Sequence, residues 1–164
     1  MSPYENADYS EPPVAAASAP ASASPVYASY IPLSTQTLIL NNYNKINVFS
    51  PGQVTDGFSL NTSTGDITVT DAGTYLIHAA FMIYQSGTGD LTNIILGMWS
   101  GNTFKLRLSI HQGVFESTTL TGHALADLTA GEVINFRVFA QVSGGTAKLA
   151  QYHSSQGVYI TKLQ

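Results

Sequence analysis

Four histidines, ten carboxylates and one tryptophan are the side chains with which this sequence could do chemistry. His78, His111, His123 and His153 lie far apart in the chain, and no two have a metal-ligand spacing such as His-x-x-x-His. His78 falls inside an apolar run, where a hydrogen-bonded interior or interface histidine is the simpler reading. The other three read as loop or strand-edge residues. Asp66 and Asp71 are close in sequence, but the first alternates within a strand pattern and the second sits in a turn. They read as cap and turn residues rather than an acid–base pair. Asp56, Asp90, Asp127 and Glu132 also fall at turn signals. Ser109 and His111 share a strand pattern without a nearby orienting carboxylate or a nucleophile elbow. Gly87-Thr88-Gly89-Asp90 is glycine-rich, yet no helical pattern follows to make it a phosphate cradle. No catalytic residue, metal site or cofactor is expected.

Two further features are open to binding. Asn61-Thr62-Ser63 matches a glycosylation acceptor, a pattern short enough to arise by chance. Trp99 stands beside Met98 in an apolar run, which favours a core position over a sugar-stacking platform.

The elements that would position these residues are β-strands. The chain has 164 residues, 44% hydrophobic and only 10% charged, with a net charge of −4. Such a low charge with abundant Thr, Ser, Gly and Asn is typical of polar-uncharged β proteins. No basic stripe favours nucleic acid, and no apolar run reaches the ~18–20 residues of a membrane span. Cysteine is absent, which removes disulfide and thiol chemistry. The first residues, Met1-Ser-Pro-Tyr-Glu-Asn-Ala-Asp, lack a basic start and an apolar core, so no secretory signal is expected.

Residues 1–32 read as an extended arm. Pro12 to Pro25 is almost wholly Ala, Ser and Pro, too poor in apolar side chains to fold alone. Tyr4, Tyr9, Tyr27 and Tyr30 are its candidate anchors on a partner surface. From 33 to 164 short β patterns alternate with turn signals. The central stretch is Asp66 to Thr70, then Thr70-Asp71-Ala72-Gly73 as a hairpin turn with Gly73 at positive φ, then Thr74 to Tyr84. In the second run Tyr75, Ile77, Ala79, Phe81 and Ile83 share one face. Leu76, His78, Ala80, Met82 and Tyr84 share the other, so both faces are expected to be covered. Phe104, Leu106, Leu108 and Ile110 alternate as a one-sided strand, and Ser50-Pro51-Gly52 and Gln112-Gly113 read as turns. No segment has a sustained helical period. The expected fold is all-β, two packed antiparallel sheets of about ten strands, a jelly roll.

Three stretches, in order, resemble a known superfamily. Gly65-x-Ile67-x-Val69-x-x-x-Gly73-x-Tyr75-x-Ile77 resembles the central signature of the complement first-component globular head and its tumour-necrosis-factor relatives. Leu128-x-x-Gly131-Glu132-x-Ile134-x-Phe136 resembles its "L-x-x-G-D-x-V" turn and strand. His153-Ser154-Ser155-Gln156-Gly157-Val158-Tyr159-Ile160-x-x-Leu163 resembles its closing strand. The departures are Ile67 for an aromatic, Glu132 for Asp and no Phe after Ser155. The resemblance implies a ten-stranded jelly roll assembling as a homotrimer, with one sheet packed around a three-fold axis. Tyr75, Ile77, Phe81, Phe139 and Tyr159 are the core or trimer-interface candidates. Some relatives hold calcium; no dense carboxylate loop appears here.

The expected function is a non-enzymatic structural component of a viral particle, a minor capsid, decoration or fibre-head protein. It would be a homotrimer attached to other coat or capsid proteins through its arm. The alternative is a receptor- or glycan-binding head on a fibre or spore coat, using Gln85 to Leu91 and Ser143 to Thr146, with an extracellular or spore-surface location.

Overall fold

Alternation of apolar and polar residues dominates the chain, and the computed structural model turns each such run into a strand. It describes residues 25–151 and 156–163, among which there are thirteen strands and no helix. These are β1 (Tyr27–Pro32), β2 (Gln36–Leu38), β3 (Tyr43–Lys45), β4 (Phe49–Val54), β5 (Phe58–Asn61), β6 (Asp66–Val69) and β7 (Gly73–Ser86). They continue as β8 (Leu91–Ser100), β9 (Thr103–Phe115), β10 (Ser117–Leu128), β11 (Val133–Val142), β12 (Thr146–Leu149) and β13 (Gly157–Lys162). One sheet has seven strands in the order β2-β12-β7-β13-β1-β4, with β10 also paired to β7. The other has six in the order β5-β6-β11-β8-β9, with β3 also paired to β11. All pairings are antiparallel, and the two sheets enclose one core. This is the expected two-sheet jelly roll, with more strands because short pieces such as β2 and β3 count separately.

The core comes from alternate positions. Tyr30, Tyr75, Ile77, Phe81 and Ile83 face inward from the seven-stranded sheet, and Ile67, Leu96, Met98, Ile134 and Phe136 from the six-stranded one. All ten are fully buried. Each large apolar side chain so buried contributes about 1.5–3 kcal/mol. Phe49 bridges Phe81, at 5.9 Å between ring centroids, and Tyr30, at 6.5 Å.

Four sequence expectations change. First, the arm ends earlier than residue 32. Tyr27–Pro32 is a strand between β13 and β4, with Tyr30 paired to Val158 and Pro51. Its alternation buries Ala28 and Tyr30, so Tyr30 is a core residue and not an arm anchor. Burial raises the Tyr30 phenol to about 12. Tyr27 is half-buried in the same strand, while Tyr4 and Tyr9 lie outside the described residues. Second, Pro51 and Gly52 do not turn the chain. They run within β4, the edge strand, where the missing proline N–H costs no ladder bond.

Third, the central hairpin does not exist as a pair. β6 bonds to β5 and β11, whereas β7 bonds to β10, β12 and β13. The Thr70–Gly73 link carries the chain from one sheet to the other. It is pinned by Thr70 N donating to Gly57 O at 3.0 Å and Tyr75 Oη donating to Asp71 O at 2.6 Å. Gly73 begins β7 opposite Leu128 without positive φ. The glycine that needs it is Gly65, at φ 72° in the β5–β6 turn, where an added Cβ would lie 2.0 Å from the Ile46 carbonyl oxygen. Fourth, β9 continues through Gln112 and Gly113 to Phe115. The chain reverses at Glu116 instead, where the carbonyl accepts from Gln85 N at 2.9 Å.

Candidate functional site

The seven-stranded sheet has one face in the core and one open. On the open face β7 presents Leu76, His78, Ala80, Met82 and Tyr84. Its neighbours place side chains beside them in register. Leu76 lies between Leu125 of β10 and Thr161 of β13, and His78 between His123 and Tyr159. Ala80 lies between Thr121 and Gly157, and Met82 opposite Thr119. Leu125 is 61% exposed, and Leu76 and Tyr159 are each 39% exposed. The His78 and Tyr159 rings pack at 5.9 Å between centroids. The expectation that both faces of β7 are covered therefore holds within this single chain only for the core side.

The five interface-or-core candidates fall in three places. Tyr75, Ile77 and Phe81 are fully buried in the core. Tyr159 stands on the open face. Phe139 is on the outward side of the six-stranded sheet, paired with Tyr43 of β3 and Ile95 of β8. Sequence reading missed Leu125. Its run is rich in threonine, yet Leu120, Gly122, Ala124 and Ala126 alternate inward, which turns Thr121, His123 and Leu125 outward together.

The chemically suggestive residues are dispersed. Among the described residues no group of three or more His, Cys, Asp or Glu side chains is placed to hold a metal. His111 shares a hydrogen bond through Nδ1 with the Thr118 hydroxyl, at 2.6 Å, and not with Ser109. His153 lies outside the described residues. A shallow cleft of about 580 Å³ opens beside Pro25 and Val26 and has Asp56 and Asp71 on its rim. Asp66 is elsewhere, bonded at 2.8 and 2.9 Å to Lys45 Nζ. The loops Gln85 to Leu91 and Ser143 to Thr146 do meet, but they bond to each other. Asp90 N donates to Ser143 Oγ, and Ser143 N to Asp90 O, both at 2.9 Å.

Two carboxylates of the six-stranded sheet are held charged. Burial opposes the charge on Asp66, but the Lys45 ammonium, the Thr64 hydroxyl and the Asn135 amide outweigh it and lower its value. Burial likewise opposes Glu132, and Lys105, the Thr129 backbone N–H and Ser100 outweigh it. A carboxylate lowered by folding stabilises the fold above its unfolded value, and this is lost as pH falls through the folded value. The urea midpoint is therefore expected to drop on acidification below the ordinary values of 4.5 for Glu132 and 3.8 for Asp66. In a Asp66→Asn, Glu132→Gln double variant the drop between neutral and acidic buffer should be smaller. An unchanged drop would assign the acid sensitivity to other groups.

No protein-family model matches the chain, and no curated protein matches it in sequence. Solved structures do match in three dimensions. The Eiger tumour necrosis factor of S. frugiperda superposes with a TM-score of 0.62 at 14% identity, over 85% of this chain and 93% of that one. Murine APRIL at pH 8.5 gives 0.60 at 13%, over 85% and 100%. The globular domain of zebrafish complement 1qA gives 0.55 at 16%, over 84% and 96%. At these identities the likeness is one of fold: the chain has the jelly roll shared by tumour-necrosis-factor-like proteins and complement 1q globular heads.

Proposed function

We propose that the chain is a non-enzymatic structural head of a viral particle. It forms a homotrimer through the open face of β7, β10 and β13, and joins neighbouring coat proteins through the residues that precede Pro25. The observation that carries the trimer is the open face itself. Leu76, Leu125 and Tyr159 stand exposed in adjacent rows on three neighbouring strands, β7, the edge strand β10 and β13, with Met82 further along the same face. A contiguous apolar face on a sheet is what self-association would cover, and a closed ring of three leaves no sticky surface behind. The resemblance drawn from the sequence implies the same sheet and the same symmetry. The viral reading rests on the Ala/Pro/Ser-rich stretch from Pro12 to Pro25, a composition suited to wrapping over a partner.

The test is the native mass of the full chain and of a chain beginning at Pro25. A trimer has three times the 17.4 kDa of one chain. Both should be trimers, because the head carries the face. Cutting at residue 30 would be uninformative, since it removes most of β1. A monomeric full chain would overturn the trimer. A truncated chain that falls to monomers would place the preceding residues inside the oligomer and remove the attachment role.

A further inference from the structure

The outward side of the six-stranded sheet carries aromatic rings that neither the core nor the open face of the other sheet uses. Phe104, Trp99, Tyr43 and Phe139 form a continuous row. Trp99 meets Phe104 edge-on at 5.0 Å, Tyr43 at 4.8 Å, and Tyr43 meets Phe139 at 5.4 Å. Trp99 is buried, but within this row and not in the core position that its sequence context favours. Phe104 remains 47% exposed and Tyr43 39%.

Phe104 is there because of a β-bulge. Met98 pairs with Leu106 and Trp99 with Phe104, which leaves Lys105 as the extra residue. Without the bulge Phe104 would share the inward face with Leu106, as the alternation predicts. A bulge that re-aims a side chain is a recurrent device beside binding sites. Here it forgoes the burial of a phenylalanine.

Two arginines share this face. Arg137 of β11 and Arg107 of β9 both pair with Gly97 of β8, over which the Trp99 and Phe104 rings lie. Two strand spacings put their backbones roughly 10 Å apart. The Arg137 guanidinium is fixed. It lies over the Trp99 ring at 5.2 Å, Nε donates to Asn135 Oδ1, and Nη2 donates to Gly101 O and Asn102 Oδ1, each at 2.9 Å. These acceptors are all neutral. The sheet's carboxylates Asp66 and Glu132 are taken by Lys45 and Lys105. Among the described residues neither arginine has a carboxylate partner, and Arg137 Nη1 donates to none.

We propose that this face binds an anionic saccharide, whose carboxylate or sulfate engages Arg137 Nη1 and Arg107 while a sugar C–H face rests on the Phe104 or Tyr43 ring. The positive pair calls for an anion, and the guanidinium fork suits planar, two-point contact. The exposed rings call for a ligand with an apolar face beside that anion, which a simple ion lacks. The surface lies on the sheet opposite the proposed trimer face, so it stands whether or not the trimer forms. It also differs from the end loops that the sequence suggested for glycan binding.

Trp99, the only tryptophan, reports on the site. Full-length protein is titrated with 3′-sialyllactose and, separately, a sulfated heparin disaccharide, while its fluorescence is followed. Lactose, sodium acetate and a short glutamate peptide are the controls. A saturable change with at least one anionic sugar is expected, with each control at least about tenfold weaker. Losing a charge-assisted bond in Arg137→Gln should weaken binding about tenfold or more. Arg107→Gln, which disturbs no side-chain hydrogen bond among the described residues, and Phe104→Ala should also weaken it, with far-UV circular dichroism unchanged. No response to either anionic sugar overturns the proposal. So does an equal response to lactose, to acetate or to the peptide, which would make the surface a neutral-sugar, simple-anion or acidic-peptide site respectively. Undiminished binding in both Arg107→Gln and Phe104→Ala would place the ligand elsewhere.

Discussion

A Leu125→Asp chain is expected to run at one third of the native mass of the parent while keeping its circular dichroism and thermal profile. Leu125 is the most exposed large apolar side chain on the open face, at 61%. Within a single chain an aspartate there stays in water, and such surface changes usually cost within about 0.5 kcal/mol. In the proposed trimer three copies of the new carboxylate would be brought toward one another and stripped of water. An unpaired buried charge costs several kcal/mol, enough to reverse association at micromolar protein. Asp127 lies two residues along the same strand face and adds like-charge repulsion. The control is Val114→Asp, exposed on β9 of the other sheet, which should remain trimeric. A Leu125→Asp trimer would mean that the copies meet through another surface, with the outward side of the six-stranded sheet the next to test.

The second large effect is on the fold itself. Gly122→Ala is expected to lower unfolding stability by about 3 kcal/mol, the upper range of overpacking penalties, as measured by urea denaturation. Gly122 faces inward from β10, opposite Ala79 of β7. A Cβ there would lie 2.0 Å from the Leu108 carbonyl oxygen and 2.5 Å from its carbonyl carbon. Those atoms are backbone in β9, so no rotamer change can clear the clash. The whole edge where the two sheets approach must separate. Gly101→Ala, in the β8–β9 turn, would meet nothing within 4 Å. It should cost only the strain of its positive φ, and so calibrates the measurement. If Gly122→Ala were as mild as Gly101→Ala, the close approach of β9 to β10 would be absent in solution.

Local pattern carried most of the fold. Period-two alternation is a property of a few consecutive residues, and it correctly places strands in Asp66 to Thr70 and Thr74 to Tyr84. It also assigns Tyr75, Ile77 and Phe81 to a single face, and these three are core. Pairing is a different matter. The short link from Val69 to Gly73 satisfies a hairpin and a sheet-to-sheet crossing equally well. Only the distant partners of β7, namely β10, β12 and β13, decide between them.

The same limit hid both candidate surfaces. Whether the outward residues of β7 form a patch depends on what β10 and β13 set beside them, and His123, Leu125 and Tyr159 come from positions remote in the chain. The aromatic row depends on a bulge at Lys105, which breaks the alternation that made Phe104 look inward. The arm boundary failed for a related reason. Tyr27–Pro32 is rich in the residues of the preceding linker-like stretch, and it becomes a strand because β13 and β4 offer it two open edges. Thus the sequence by itself determined the class of fold, most of the strands and most of the inward set, because those follow from nearest neighbours along the chain. Tertiary structure alone decided which strands pair and which outward side chains gather, because a sheet joins residues far apart in sequence and a single bulge reverses the face they share.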